Sequence, residues 1–240
     1  MAADSQRSDW LLAIDTSSIT ISVAVAPVGL RFGTPGAEMT WLADRNQTAT
    51  LLGEIDALLR LNSIETSDLS GVVIATGPGS FSALRVGMAT AKGLCLAHQI
   101  PIFGIGTLDA AAAQFEGWGR PVRACVNAGR KRVVAGDYRP GLHGLTLAAA
   151  LEHRTLDQLA DGLTEPTLLV GDFDEAVADQ YRSLDEVILL PQSTRRRRAG
   201  ILIDMAYERW INGKHDELAS LEPIYVHGRP ERATAGNRAR

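Results

Sequence analysis

Apolar and polar positions along the chain fall into two successive sets with the same order of elements. In the first, runs and alternations predict strands over 10–14, 19–26 and 38–43, then a helix over 47–61. A strand over 71–76 and a helix over 82–98 complete it. The second set predicts strands over 122–127, 131–138 and 145–152, a helix over 156–163, a strand over 167–170 and a helix over 173–183. A strand over 187–190 and a helix over 195–212 follow. Thr155 and Gln158 have capping-box spacing, which marks the start of the 156–163 helix. Between the sets, a strand from Ile100 to Ile105 and a helix opened by Thr107 lead to Gly117-Trp118-Gly119-Arg120-Pro121, where glycine and proline punctuate the chain. Three strands, helix, strand, helix, occurring twice, imply an α/β fold of two duplicated subdomains on mixed sheets. The expected division is 1–106 and 107–226, with 227–240 as a flexible tail.

The junction of the 71–76 strand with the 82–98 helix is chemically unusual. Gly77-Pro78-Gly79-Ser80 precedes a helix carrying two bare rows, Ala83–Gly87–Ala91 and Ala89–Gly93–Ala97, each spaced by four and so each on one face. Interior glycines cost a helix about 1 kcal/mol each relative to alanine, so something is expected to pack close to this backbone. Either the rows seat the helix on its own sheet, or one meets a helix of another protein. A glycine-rich loop before a helix is also an anion site in form. It lacks, however, the Gly-Lys-Ser/Thr ending of a Walker loop.

Composition narrows the class. The 240 residues are 45% hydrophobic, enough for a packed core, and a net charge of −4 argues against a chain that grips nucleic acid over most of its surface. A polar N-terminus without a signal-like run, and no segment of membrane-spanning length, point to the cytoplasm. Cys95 and Cys125 lie in apolar surroundings without metal-ligand spacing and are expected as buried free thiols. His98, His143, His153, His215 and His227 contain no pair four residues apart, so no metal site is expected.

Gly77-Pro78-Gly79-Ser80-Phe81-Ser82-Ala83-Leu84-Arg85-Val86-Gly87, with Ala91-Lys92-Gly93-Leu94 after it, resembles the signature of the TsaB (YeaZ) family. The opening Leu11-Leu12-Ala13-Ile14-Asp15-Thr16-Ser17-Ser18 and Ile21-Ser22-Val23-Ala24-Val25 resemble its first hairpin. The likeness weakens around 45–52 and 127–133, and at His227. The resemblance implies an actin-like, Hsp70-like (ASKHA) fold with a degenerate second half. It also implies an accessory subunit of the bacterial tRNA threonylcarbamoyladenosine machinery, with no active site of its own. The implied partners are a TsaD-type catalytic subunit, a TsaE-type ATPase through the complex, tRNA indirectly, and a second copy when the chain is alone. ATP or ADP and Mg2+ would enter only through the complex. The family's partner helix maps onto Ala83, Leu84, Gly87, Met88, Ala91 and Leu94, so Gly87→Arg is expected to abolish association in a folded chain.

Two further sets of residues are candidates for chemistry. ASKHA enzymes place an acid and hydroxyls around nucleotide phosphates at the end of their first strand, so Asp15, Thr16 and Ser17 with Gly77, Gly79 and Ser80 form a candidate phosphate loop. A small ASKHA-type ATPase or phosphotransferase using Asp15 and this loop is the alternative to the accessory role. The plainer alternative is a turn that satisfies its own backbone. Arg195-Arg196-Arg197-Arg198 is the densest positive cluster and a candidate tRNA contact. Four cations at a helix start oppose its dipole, so carboxylate partners or free solvent are expected for several of them, with Asp172, Asp174 and Glu175 as neighbours by sequence.

Overall fold

A computed structural model describes residues 9–28, 36–43, 47–129, 132–142 and 144–226. The expected tail 227–240, His143 and His227 lie outside the described residues. The first sheet contains β1 (Trp10–Asp15), β2 (Thr20–Pro27), β3 (Ala37–Leu42), β4 (Leu69–Gly77) and β5 (Ile102–Gly106) in the order β3-β2-β1-β4-β5. β1, β2 and β3 form an antiparallel meander, whereas β4 runs parallel to both β1 and β5. The connecting helices are α1 (Gln47–Leu61) before β4 and α2 (Phe81–His98) after it. Strand alternation splits the apolar runs between two faces. Leu12, Ile14, Val72 and Ile74 pack with α1 and α2, while Leu11, Ala13, Val73 and Ala75 face the opposite side. Coverage on both faces explains why β1 and β4 read as continuous apolar runs.

The second half repeats this plan. After α3 (Thr107–Ala113) come β6 (Val122–Gly129), β7 (Arg132–Gly141), β8 (Gly144–Leu147), β9 (Glu152–Thr155), β10 (Thr167–Gly171), α4 (Glu175–Tyr181), β11 (Val187–Leu189), α5 (Gln192–Arg195) and α6 (Ala199–Ile211). The sheet order β11-β10-β6-β7-β8 is that of the first sheet, with β9 also on β7. β10 is parallel to β6 and β11, and β7 antiparallel to β6. Leu108, Ala111 and Ala112 of α3 cover one face, and Val177, Ala178 and Tyr181 of α4 the other.

Four sequence expectations are corrected. The strand expected over 145–152 is two short strands, β8 and β9, paired with the two ends of β7. The helix expected over 156–163 is a single 3-10 turn, Leu156–Gln158, although the Thr155–Gln158 capping box is present. Its continuation is diverted because the Arg123 guanidinium takes the carbonyls of Leu159 and Asp161, and Gly162 has φ +77°. The helix expected over 195–212 is broken between α5 and α6, with Arg196 and Arg198 in extended backbone. Finally, the second subdomain does not keep its last helix. Leu202, Ile203 and Ala206 of α6 close the open face of the first sheet against Leu11, Ala13, Val73, Phe103 and Ile105.

The segment after α6 stays with the first half as well. Asp216 bridges to Ile102 at the β5 edge and accepts from the Gly104 N–H at 2.6 Å, and the Ile224 N–H donates to Thr76 O at 2.7 Å. Leu218 and Leu221 pack against the first core. Among the described residues no helix is long and apolar enough to cross a membrane.

Candidate functional site

The two halves face each other across a cleft of about 850 Å3, reached from the ends of β1, β4, β6 and β10. Its lining combines apolar Ile19, Leu42 and Phe81 with polar Asn127, Asp172 and Arg196. At the end of β1, Asp15, Thr16, Ser17 and Ser18 are all buried. Asp15 Oδ1 accepts from the Ser17 N–H at 2.8 Å and the Ser17 hydroxyl at 2.5 Å, the self-satisfied turn that short polar side chains favour. The loop after β4 packs directly on this turn. The Ser80 N–H donates to Ser17 O at 2.7 Å, and a Cβ at Gly79 would collide with that same carbonyl. Glycine is therefore needed at 79 for close approach rather than for anion binding.

Arg197 completes the cleft floor. Its Nε donates to Asp15 Oδ2 at 2.9 Å, one terminal nitrogen to Asp172 Oδ1 at 2.7 Å, and the other to the Ser18 hydroxyl at 2.7 Å. Burial alone would lower its pKa, yet attraction to Asp172 and Asp15 and hydrogen bonds to both hold it above the ordinary arginine value. Asp172 Oδ2 is buried with no hydrogen-bond partner among the described residues. Beneath it, burial and the Asp172 charge push the Cys125 thiol up to about 12. Cys95, also free and buried, is raised to about 11 by desolvation.

These contacts divide the arginine run by alternation, as extended backbone requires. Arg195 turns inward to Glu175 at 2.6 Å, with Leu190 O and Phe173 O as further acceptors, and its guanidinium lies over the Phe173 ring. Arg197 turns inward likewise, whereas Arg196 and Arg198 are exposed. Arg198 pairs with Glu38 at 3.3 Å, and Arg196 lines the cleft. Arg195 and Arg197 are thus structural, and the expectation of a four-arginine tRNA contact is corrected. Glu175 and Asp172 are the partners anticipated from sequence. Asp174 instead caps α4, accepting from the Val177 N–H at 2.9 Å.

The expected partner face of α2 is also corrected. Ala83, Leu84, Gly87, Met88 and Ala91 are buried, and Leu94 packs against the same core. A Cβ at Gly87 would collide with Thr16 Oγ1, whose hydroxyl donates to Ala83 O at 2.7 Å. The Ala83–Gly87–Ala91 row therefore seats α2 on its own sheet. The other row faces out: Ala89, Gly93 and Ala97 are exposed beside Leu96, itself 68% exposed, and a Cβ at Gly93 would meet nothing within 4 Å. Leu52 and Gly53 of the adjoining α1 are exposed too.

Sequence reasoning missed one more cluster, at the cleft mouth. The Arg85 guanidinium sits 3.8 Å from the Phe81 ring centroid and donates to the Tyr225 hydroxyl at 3.3 Å, and the two rings are 4.8 Å apart. Phe81 and Arg85 stand one turn apart on α2, but Tyr225 lies 140 residues beyond Arg85, so no local pattern could announce its place in the cluster.

The residues at the cleft floor do not fit a nucleotide phosphate with its magnesium. Both Asp15 oxygens are engaged, the Ser17 and Ser80 N–H groups are bonded within the protein, and Arg197 already neutralises the two carboxylates. The alternative that assigns phosphoryl chemistry to Asp15 and the Gly77–Ser80 loop loses its geometric basis.

Two lobes of one topology about a shared cleft define the actin-like, or ASKHA, fold class. A family model for TsaD, tRNA N6-adenosine threonylcarbamoyltransferase, matches residues 41–195, more than half of the chain. The tRNA threonylcarbamoyladenosine biosynthesis protein TsaB of Bacillus subtilis is 32% identical over 129 residues, which span 54% of this chain and 55% of that one. The chain thus aligns with about half the length of that relative. The TsaB protein of Escherichia coli is 26% identical over 227 residues, 90% of this chain and 94% of its own. YeaZ from Pseudomonas aeruginosa shares the fold, with a TM-score of 0.71 and 23% identity over 91% of this chain and all of that structure. The chain belongs to this family, and within it to the TsaB (YeaZ) proteins.

Proposed function

We propose that this chain is a non-catalytic accessory subunit of a tRNA threonylcarbamoylation machinery, docking through the solvent face of α2 on a TsaD-type transferase. That partner carries the threonylcarbamoyl group to N6 of the adenosine beside the anticodon. The observation that carries the reading is the outward row Ala89, Gly93 and Ala97 with exposed Leu96, on a helix whose other row is consumed by its own sheet. Small residues let a partner helix approach closely while leucine supplies apolar area. The same face serves a homodimer when the chain is alone. A TsaE-type ATPase joins through the complex, and ATP or ADP with Mg2+ enters there rather than at Asp15. Contact with tRNA is indirect, in keeping with a net charge of −4 and the inward turn of Arg195 and Arg197. The site of action is the cytoplasm.

The test is threonylcarbamoyladenosine formation on tRNA, reconstituted with this chain present, omitted or replaced by Gly93→Arg. Product is expected only with the native chain. Gly93→Arg should fold, gain helix propensity and lose association by light scattering. Gly87→Arg serves as the contrast, failing to fold because it strikes Thr16. Equal product on omission would refute the accessory role, and native association of folded Gly93→Arg would refute the interface.

A further inference from the structure

We infer that Arg197 is an internal latch that holds the two lobes closed across the cleft floor, standing between Asp15 and Asp172. The inference goes beyond the accessory role and does not depend on it. The two carboxylates come from opposite lobes, Asp15 from the end of β1 and Asp172 from just beyond β10. Arg197 reaches both, with Ser18 as a third acceptor, and every partner distance is 2.7–2.9 Å. A single planar guanidinium thereby spans the lobe boundary with all three of its donor-bearing nitrogens engaged.

The chain on either side of Arg197 is anchored in opposite lobes. Two residues before it, Arg195 is bonded to Glu175, Phe173 O and Leu190 O of the second lobe. Two residues after it, the Ala199 N–H donates to the Ser22 hydroxyl of β2 at 3.0 Å, and α6 then covers the first sheet. Positions 195, 197 and 199 therefore stitch second lobe, both lobes and first lobe in turn. Extended backbone at Arg196 and Arg198 carries the chain from Arg195 at the end of α5 to the Ala199 N–H at the start of α6.

Removing the guanidinium would leave Asp15 and Asp172 as unpaired neighbours of like charge, and a buried charge stripped of its partner is strongly unfavourable. The lobes would separate to admit water. Closure in this molecule thus depends on its own arginine and needs no Mg2+-nucleotide.

Hydrogen exchange on the full chain, with and without Mg2+-ADP, tests this. In the native chain Mg2+-ADP should leave exchange at the Ser17, Ser80 and Asp172 amides unchanged. Nucleotide-dependent protection of those amides would overturn the latch. Arg197→Gln should raise exchange at the same three amides by at least about tenfold while the β1 and β4 interiors keep their protection. A folded Arg197→Gln with native exchange at the cleft would also overturn it. Should that variant not fold, Arg197→Met combined with Asp15→Asn and Asp172→Asn removes all three charges together. That triple variant should fold with a cleft exchanging faster than native, and native-like protection there would count against the latch. The Mg2+-ADP comparison on the native chain decides independently of any variant.

Discussion

Arg123 and Arg197 are both buried, and both are tolerated because every face of the guanidinium finds an acceptor. Arg123 holds Asp137 through both carboxylate oxygens, at 2.5 and 2.8 Å, and also takes the Leu159 and Asp161 carbonyls. The hydrogen bond from Arg123, above all, keeps Asp137 below the usual carboxylate range. A depressed carboxylate stabilises the fold above its unfolded pKa of about 4, and that contribution is lost as the pH falls through the lower folded value. Asp137→Asn is therefore expected to lower the thermal midpoint at neutral pH and to flatten its decline on acidification. Midpoints measured across the acid range check this, and parallel curves for variant and native chain would contradict it. At this scale the sequence was partly legible. Charge at a helix start called for carboxylate partners or free solvent around the arginine run, but the two-in, two-out division depends on backbone that is extended at 196 and 198. Glycine spacing showed that α2 has two bare rows, and only packing against Thr16 shows which row is inward.

Elements were legible wherever a strand or helix has one partner layer or two. α1, α2, α3 and α4 form close to where apolar spacing puts them. The 156–163 helix fails for a tertiary reason: Arg123, from a strand more than thirty residues earlier, competes for carbonyls that a helix would use internally. α6 has the opposite character, because its apolar stripe is evident but its destination is not. Leu202 is 1% exposed in the core between α6 and the first sheet. Leu202→Ala should cost about 2–5 kcal/mol, as truncations of buried leucines do, and chemical denaturation measures it. A loss below that of a surface substitution would mean that α6 contributes little to closing this face.

The duplicated architecture was legible as a whole because the order of elements repeats, and the repeat is exact in strand order about each sheet. The division into successive subdomains was not, because α6 and the segment through Ile224 return to the first sheet. Lobes interwoven in this way share their cores, so unfolding should be a single transition. Far-ultraviolet circular dichroism and tryptophan fluorescence should trace coincident curves, and the calorimetric and van't Hoff enthalpies should agree. Two separable transitions would show that the lobes fold independently despite the shared helix.

The return of α6 also fixes an order of events on the ribosome. β5 is complete at Gly106, yet the helix that covers the face bearing Leu11, Ala13, Val73, Phe103 and Ile105 begins only at Ala199. At about 5–20 residues per second, the first sheet waits on the order of five to twenty seconds with that face bare. The nascent chain thus carries a finished strand set without its lid through the synthesis of the whole second lobe. That interval is when a binder of exposed apolar surface has its opening, and it closes only as the last helix emerges.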